Sequence, residues 1–163
     1  MVSKREKLIE KLGVHIEHKE RVAPLAARII ASLILRGKKG ATFDNLVCEL
    51  QASKSAISTN LTTLQAMDRI IYYTKPGDRK KYYLLNPNSW INTTNEMIAN
   101  WNTERDLHLE ISDYKQEINK NLPDDSDEKF DLDFHTDYLK YLDQAISLMQ
   151  KLQSKLIVNQ TND

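Results

Sequence analysis

The stretch from residue 42 to residue 85 constrains this chain more than any other, because its hydrophobic period changes within it. Thr42 is placed to cap a helix of about two turns carrying Phe43, Leu46, Val47 and Leu50. Gln51-Ala52-Ser53 breaks that helix, and Ser53 caps another running to about Met67. On a helical wheel Ile57, Leu61 and Leu64 share one face of this second helix, and Ser55, Ser58, Thr59 and Thr62 share the opposite one. That opposite face carries short hydroxyl side chains where long charged ones are usual. Two β-branched and aromatic runs follow, over residues 69–74 and 81–85. Between them Lys75-Pro76-Gly77-Asp78-Arg79-Lys80 combines strong turn residues with cations, which predicts a hairpin with a basic tip.

Helices account for the rest of the chain. Leu8, Leu12 and Ile16 recur every four residues in an amphipathic helix over residues 3–19. Pro24 suits the first turn of the next helix, whose apolar residues Leu25, Ile29, Ile30, Leu33 and Ile34 cover most of its circumference and place it centrally. Gly37 and Gly40 stop it. Its apolar run of 13 residues falls short of the ~20 that a membrane helix needs. Pro87 opens a long helix to about residue 121, with Trp90, Thr94, Met97, Trp101 and His108 along one stripe, and an acidic loop over residues 122–128 follows. In the last helix, from about residue 134 to about residue 158, Phe134, Tyr138, Tyr141, Ala145, Leu148 and Leu152 are spaced 4, 3, 4, 3, 4. That is an a/d seam, widened by Leu142, Ile146 and Met149. Either the helix over residues 87–121 or a second copy of the chain must cover it, and the expectation is a homodimer.

Two helices joined by a short turn and followed by a β-hairpin make a winged helix-turn-helix. The fold expected is therefore mainly α with a small β-hairpin, a winged helix-turn-helix flanked by N- and C-terminal dimerisation helices. Its divisions are N-terminal helices over residues 1–36, a DNA-binding domain over 37–86, and long helices for dimerisation and effector response over 87–163. The net charge of zero hides an asymmetry that suits this reading. Residues 1–90 carry 16 Lys and Arg against 8 Asp and Glu, whereas residues 91–163 carry 7 against 15. Only the front of the chain is suited to a polyanion such as double-stranded DNA. A major groove about 12 Å wide admits one α-helix. Ser55, Ser58, Thr59 and Thr62 would then face bases or phosphates, with Thr42, Lys54, Lys75, Lys80 and Lys81 on the backbone and Arg79 in the minor groove. The face lacks a central Arg, Asn or Gln, so sparse direct base readout is expected, with water-mediated contacts or DNA shape carrying part of the specificity. Asn60 falls nearer the buried side, as a local brace.

The residues from Phe43 to Leu85 resemble the winged-helix domain of MarR-type transcriptional regulators, most closely the GbsR-like branch. The resemblance rests on Ser53, Lys54, Ile57, Ser58, Asn60, Leu61 and Leu64, then on Gly77, Arg79, Lys80, Tyr82 and Tyr83. The close match covers about a quarter of the chain. Relatives often have Gly after the recognition helix, where this chain has Met67-Asp68-Arg69. The resemblance implies a cytoplasmic, dimeric transcriptional regulator, most simply a repressor with a small-molecule effector. The dimer would be built on Leu8 and Leu12 of the first helix and Tyr138, Tyr141, Ala145, Leu148 and Leu152 of the last. It carries no effector site onto particular residues, although Trp90, Trp101, His108, Tyr114, Tyr138 and Tyr141 are aromatics of the region where one would lie. The alternative is a winged-helix protein-assembly module that does not bind DNA.

Other chemistries find little support. With Gly 4 in the whole chain there is no phosphate-cradling glycine motif. His15 and His18 share a helix face but lack a third ligand. Asp131, Asp133, His135 and Asp137 fail the calcium-loop pattern at its sixth and twelfth places, Thr136 and Leu142, and read as charges at the positive end of the last helix. Cys48, the one cysteine, is expected as core filler among Leu46, Val47 and Leu50. It excludes an intramolecular disulfide. With an N-terminus that lacks an apolar signal core, it points to a reducing cytoplasm. No enzyme, cofactor, metal or membrane role is expected.

Overall fold

The structure, a computed structural model, describes residues 3–161, with side chains as far as residue 157. Helix α1 spans Lys4–Glu20 and is closed by a reciprocal cap: the Ser3 hydroxyl accepts the Glu6 N–H at 3.1 Å, and the Glu6 carboxylate accepts the Ser3 N–H at 2.6 Å. Helix α2, Pro24–Ile34, starts on its proline and buries Ala26, Ala27, Ile29, Ile30, Ala31, Ser32 and Leu33. A 3₁₀ turn over Gly37–Lys39 leads into strand β1, Ala41–Thr42. Helix α3, Phe43–Leu50, and helix α4, Lys54–Ala66, come next. Strands β2, Ile70–Thr74, and β3, Lys81–Leu85, form the hairpin. Helices α5, Pro87–Lys120, and α6, Asp133–Thr161, complete the chain. The fold is mostly helical with a small antiparallel sheet, of the winged-helix kind.

The sheet has one strand more than the expected hairpin. Its order is β1-β3-β2, with Ala41 opposite Tyr83, Thr42 opposite Tyr82, and Ile70 through Thr74 opposite Leu85 through Lys81. A two-residue strand leaves no period to read. It is admitted by Gly40, which holds φ +64 with its backbone against the Tyr83 carbonyl, where a Cβ would collide.

The chain divides into two compact units, the first ending at Ser89 and the second beginning at Trp90. In the first, one core gathers Ile9 and Ile16 of α1, Ile29, Ile30 and Leu33 of α2, Leu46 of α3, Ile57, Leu61 and Leu64 of α4, and Ile70 and Tyr83 of the sheet. The buried face of α1 is rotated from the expected one. Ile9, Gly13 and Ile16 are buried, Leu12 packs against the core of its own chain, and Leu8 is 39% exposed. Gly13 sets this rotation, because a Cβ there would lie 2.7 Å from the Arg28 side chain. Arg28 in turn bridges α2 to Glu10 and Glu17 of α1.

The carboxylate of Glu49 on α3 joins three helices. It accepts from Arg5 of α1 at 2.7 Å, from the Ser32 hydroxyl of α2, and pairs with Arg36 at 3.2 Å. Arg5 also donates to the carbonyls of Leu35 at 3.1 Å and Ser32 at 3.3 Å, which closes the end of α2. Burial pushes the Glu49 carboxyl upward, but the bonds from Arg5 and Ser32 and the charge of Arg36 outweigh it and hold the group below the ordinary carboxylate range.

Cys48 corrects the expectation of core filler: it is exposed. It lies about 200° around the helix from the buried Leu46, so the same turn that buries one turns out the other.

The second unit is an α5–α6 hairpin with a partly polar interior. Buried in it are Thr94 and Ser112 of α5 and His135, Leu142, Ile146 and Gln153 of α6. The Gln153 amide donates to the Thr94 hydroxyl at 2.6 Å and to Asn95 at 2.9 Å. The expected seam of α6 splits. Its widening residues Leu142 and Ile146 turn inward and Met149 is half-buried, while Phe134, Tyr141, Leu148 and Leu152 stay exposed and Tyr138 and Ala145 are half-buried. On α5, Thr94 is buried, but Trp90 and Met97 of the same expected stripe are exposed. Among the described residues, no helix is long and apolar enough to cross a membrane.

Glu49→Gln keeps the shape but loses the charge that two arginines share, and should cost about 2 kcal/mol in urea unfolding at neutral pH. The contribution of Glu49 is present above the unfolded carboxylate value of roughly 4.3 and disappears as pH falls through the lowered folded value. Urea curves of the wild type should lose stability over that acid range, and those of the Gln variant should lose less.

Candidate nucleic-acid interface

Helix α4 is built by a cap at one end and a left-handed residue beyond the other. The Ser53 hydroxyl accepts the Ala56 N–H at 3.2 Å. Beyond α4, Asp68 adopts φ +55, and the Arg69 N–H reaches back to the Leu64 carbonyl at 2.9 Å. Asp68 therefore takes the left-handed position after a helix that glycine more commonly fills. Asn86 seals the same corner, its amide donating to the Asp68 carbonyl at 2.9 Å, and Arg69 pairs with Glu20 of α1 at 2.5 Å. The recognition-type helix and the base of the wing are thus tied to the core from two sides.

On the outer face of α4, Lys54, Ser55, Ser58, Thr59 and Thr62 are all exposed, and Ile57, Leu61 and Leu64 are buried opposite them. The hydroxyls are partly engaged within the helix. Thr62 donates to the Ser58 carbonyl at 3.0 Å, Thr63 to the Thr59 carbonyl at 3.1 Å, and Ser55 contacts Ser53 at 3.2 Å. A threonine that donates its proton inward leaves its oxygen facing out as an acceptor. Asn60 is half-buried, and its amide donates to the Ala56 carbonyl at 2.9 Å, so it braces its own helix.

The wing is ordered by its own residues. In the turn Lys75-Pro76-Gly77-Asp78, the Asp78 N–H donates to the Lys75 carbonyl at 3.0 Å and Gly77 holds φ +76, the conformation that a proline–glycine turn requires. The Asp78 carboxylate then accepts the Lys80 N–H at 2.9 Å and the Tyr82 hydroxyl at 2.7 Å. These two bonds, that of Lys80 first, hold the Asp78 carboxyl below its ordinary range, and the bond to Asp78 raises the Tyr82 phenol. Tyr73 and Tyr82 stack at 5.3 Å, the Lys75 ammonium sits 4.2 Å over the Tyr82 ring, and that of Lys81 sits 4.3 Å over the Tyr72 ring. Arg79 and Lys80 are left exposed at the tip.

Arg79, Lys80 and Lys81 share a cleft of about 270 Å³ with Thr42, Phe43, Asp44 and Tyr83, against the N-terminus of α3. Three cations and the positive end of a helix dipole make this cleft attractive to anions, with Asp44 as its acidic member. Thr42 reaches it, but not as the free hydroxyl expected. The residue is 7% exposed, and its hydroxyl accepts the Asn45 N–H at 3.2 Å as the cap of α3. The hydroxyls of α4 do not line the cleft. Sequence reasoning overlooked Asp78, Tyr72, Tyr73 and Tyr82 as the scaffold of the wing. The Asp-x-Lys spacing was a readable sign of an Asx turn, but the lysine–tyrosine pairs depend on cross-strand register.

The remaining candidates lie elsewhere. His15 and His18 are exposed on α1. Among the described residues, no group of three or more His, Cys, Asp or Glu side chains is placed to hold a metal ion.

No protein-family model and no curated protein matches this chain. Among solved structures, the crystal structure of a transcriptional regulator is similar over 94% of this chain and 97% of its own, with a TM-score of 0.51 and 20% sequence identity. At that identity the likeness speaks for the fold.

Since Arg79 and Lys80 project from a turn held by other groups, replacing both by alanine should change unfolding free energy by no more than about 0.5 kcal/mol. Gly77→Val should cost about 1–2 kcal/mol, because a β-branched residue must enter the left-handed region. Thermal and urea melts of the two variants check the contrast.

Proposed function

We propose that this chain is a transcriptional regulator of the MarR type, close to the GbsR-like branch, that binds double-stranded DNA as a homodimer and acts as a repressor. The observation that carries the reading is the hydroxyl face of α4, uncovered on the side opposite the core, in a chain whose adjoining wing ends in free cations. The fold shared with a solved transcriptional regulator supports it.

On this reading α4 enters the major groove. Ser55, Ser58, Thr59 and Thr62 meet base edges through water or directly, and outward threonine oxygens accept from exocyclic amines of adenine or cytosine. Lys54 and Lys75 neutralise phosphates, Arg79 enters the minor groove, and Lys80 and Lys81 draw a backbone phosphate into the cleft at the N-terminus of α3. Thr42 serves this contact by capping that helix.

The dimer reading is supported by the apolar stripe Phe134, Tyr141, Leu148 and Leu152, exposed by 65%, 56%, 65% and 46%. A second copy is its natural cover, since a two-fold dimer would present two α4 helices to half-sites about 34 Å apart. Leu8, exposed on α1, would extend the interface, whereas Leu12 belongs to its own core. A small-molecule effector acting on the helical half would release DNA, as expected of a repressor working in the cytoplasm.

Fluorescence anisotropy with a generic duplex tests the central claim. Six or so phosphate contacts should cost about three decades of affinity between roughly 50 and 200 mM salt, and the Arg79→Ala/Lys80→Ala variant should show a shallower slope. Absence of binding at the lower salt would favour a protein-assembly module instead. Sedimentation of Leu148→Asp against wild type checks the dimer: the variant should be monomeric, and an unchanged mass would remove α6 from the interface.

A further inference from the structure

One cluster in the α5–α6 hairpin, half-buried around a buried histidine, lies outside the residues assigned above to DNA. His135 of α6 is 6% exposed, and its two ring nitrogens are both engaged. Nε2 lies 3.0 Å from the Lys115 ammonium and Nδ1 lies 3.1 Å from Nδ1 of His108. These contacts fix the protons. An ammonium only donates, so Nε2 of His135 accepts and its proton sits on Nδ1. That proton is donated to Nδ1 of His108, which must be bare, so His108 carries its own proton on Nε2. The chain from Lys115 through His135 to His108 is complete only with both rings neutral.

We propose that the His108–His135 pair is an acid-sensitive latch of the α5–α6 hairpin, closed while both imidazoles are neutral and released when His135 takes a second proton. A proton on Nε2 of His135 would face the Lys115 ammonium, and a proton on Nδ1 of His108 would face the N–H of His135. Each replaces a hydrogen bond with a repulsive contact in a buried place.

Among the charged groups around the pair, the Lys115 ammonium opposes a second cation, whereas the Glu104 carboxylate keeps its negative charge while one of its oxygens accepts from Tyr138. From α5 these are Lys115, His108 itself and Glu104. From α6, Tyr138 packs its ring 4.8 Å from His108 and donates its hydroxyl to Glu104 at 2.6 Å. That bond raises the Tyr138 phenol, which stays protonated and keeps the Glu104 oxygen occupied. The Lys115 ammonium also lies 5.3 Å over the Phe130 ring. Burial first, then the charge of Lys115, then His108, depress the His135 ring below its ordinary range. A depressed imidazole favours the folded state above the unfolded histidine value of roughly 6.5, and that favour is lost as pH falls below it.

Proton NMR of the histidine rings and thermal melts of the full chain, from about pH 8 to about pH 5, test the latch in the range where unperturbed histidine titrates. The His135 ring should titrate at a lower pH than in the urea-unfolded chain. The wild-type melting temperature should fall over this range. In His135→Gln, whose amide can accept from Lys115 and donate to His108, the fall should be smaller. Lys115→Met removes the opposing charge, should also shrink the fall, and serves if the glutamine variant does not fold. A His135 ring that titrates as in the unfolded chain, or variants that lose as much as wild type, would overturn the latch.

If α6 carries the dimer contact, acid would also weaken DNA binding, a consequence that rests on the function proposed above. The ring titration needs no DNA and the anisotropy is read at neutral pH, so failure of one is distinguishable from failure of the other.

Discussion

The Glu49 carboxylate, shared among Arg5, Ser32 and Arg36, ties α3 to both helices of the N-terminal layer. This short helix has one fully buried side chain, Leu46, with Phe43, Val47 and Leu50 partly buried against the same core, and the charge network adds direction to that packing. A directional network at its C-terminal half and the Thr42 cap at its start fix both ends. Helix α4 then packs on α2 and α3 through Ile57, Leu61 and Leu64, and the strands follow from the corner at Asp68. The exposed hydroxyl face is therefore placed by a charge cluster at the C-terminal end of the neighbouring helix. This arrangement uses polar bonds for orientation and hydrophobic burial for cohesion.

Much of this was legible from the residues. Thr42 and Ser53 each stand before an apolar period, and each proves to be a cap, because short hydroxyl side chains at such places compete for exposed helix N–H groups. The wing was legible from Pro76-Gly77 between two aromatic runs. What was not legible depended on one helix meeting another. Leu8 and Ile9 are equally good leucine-type neighbours in sequence, and only the close approach of Gly13 to Arg28 decides that Ile9 turns inward. Cys48 sits in a helix so rich in apolar residues that its period does not define a face. Strand β1 exists only because β3 offers it an edge. On α6 the apolar residues are too many for one stripe, so the side taken by α5 was fixed by polar partners such as Gln153 with Thr94.

The two units are stabilised differently. The first has a continuous aliphatic core that reaches from α1 to the sheet. The second is a pair of long helices whose interior mixes Leu142 and Ile146 with a glutamine, a threonine, a serine and a histidine. Buried polar groups of this kind fix register, because a shift of one turn leaves them without partners. They contribute less cohesion than leucines would. A hairpin so built depends on its polar bonds for alignment.

The wing tip is supported by an Asx turn, a stacked tyrosine pair and two lysines lying on tyrosine rings, none of which belongs to the core. Its exposed positions are consequently free of packing duty. Mutations at Arg79 and Lys80 can accumulate, reverse or change sign without a folding penalty to be repaired elsewhere. In evolutionary terms the tip is a place where a lineage can change its surface charge while keeping the same architecture, and in engineering terms it is the safest place to begin a library.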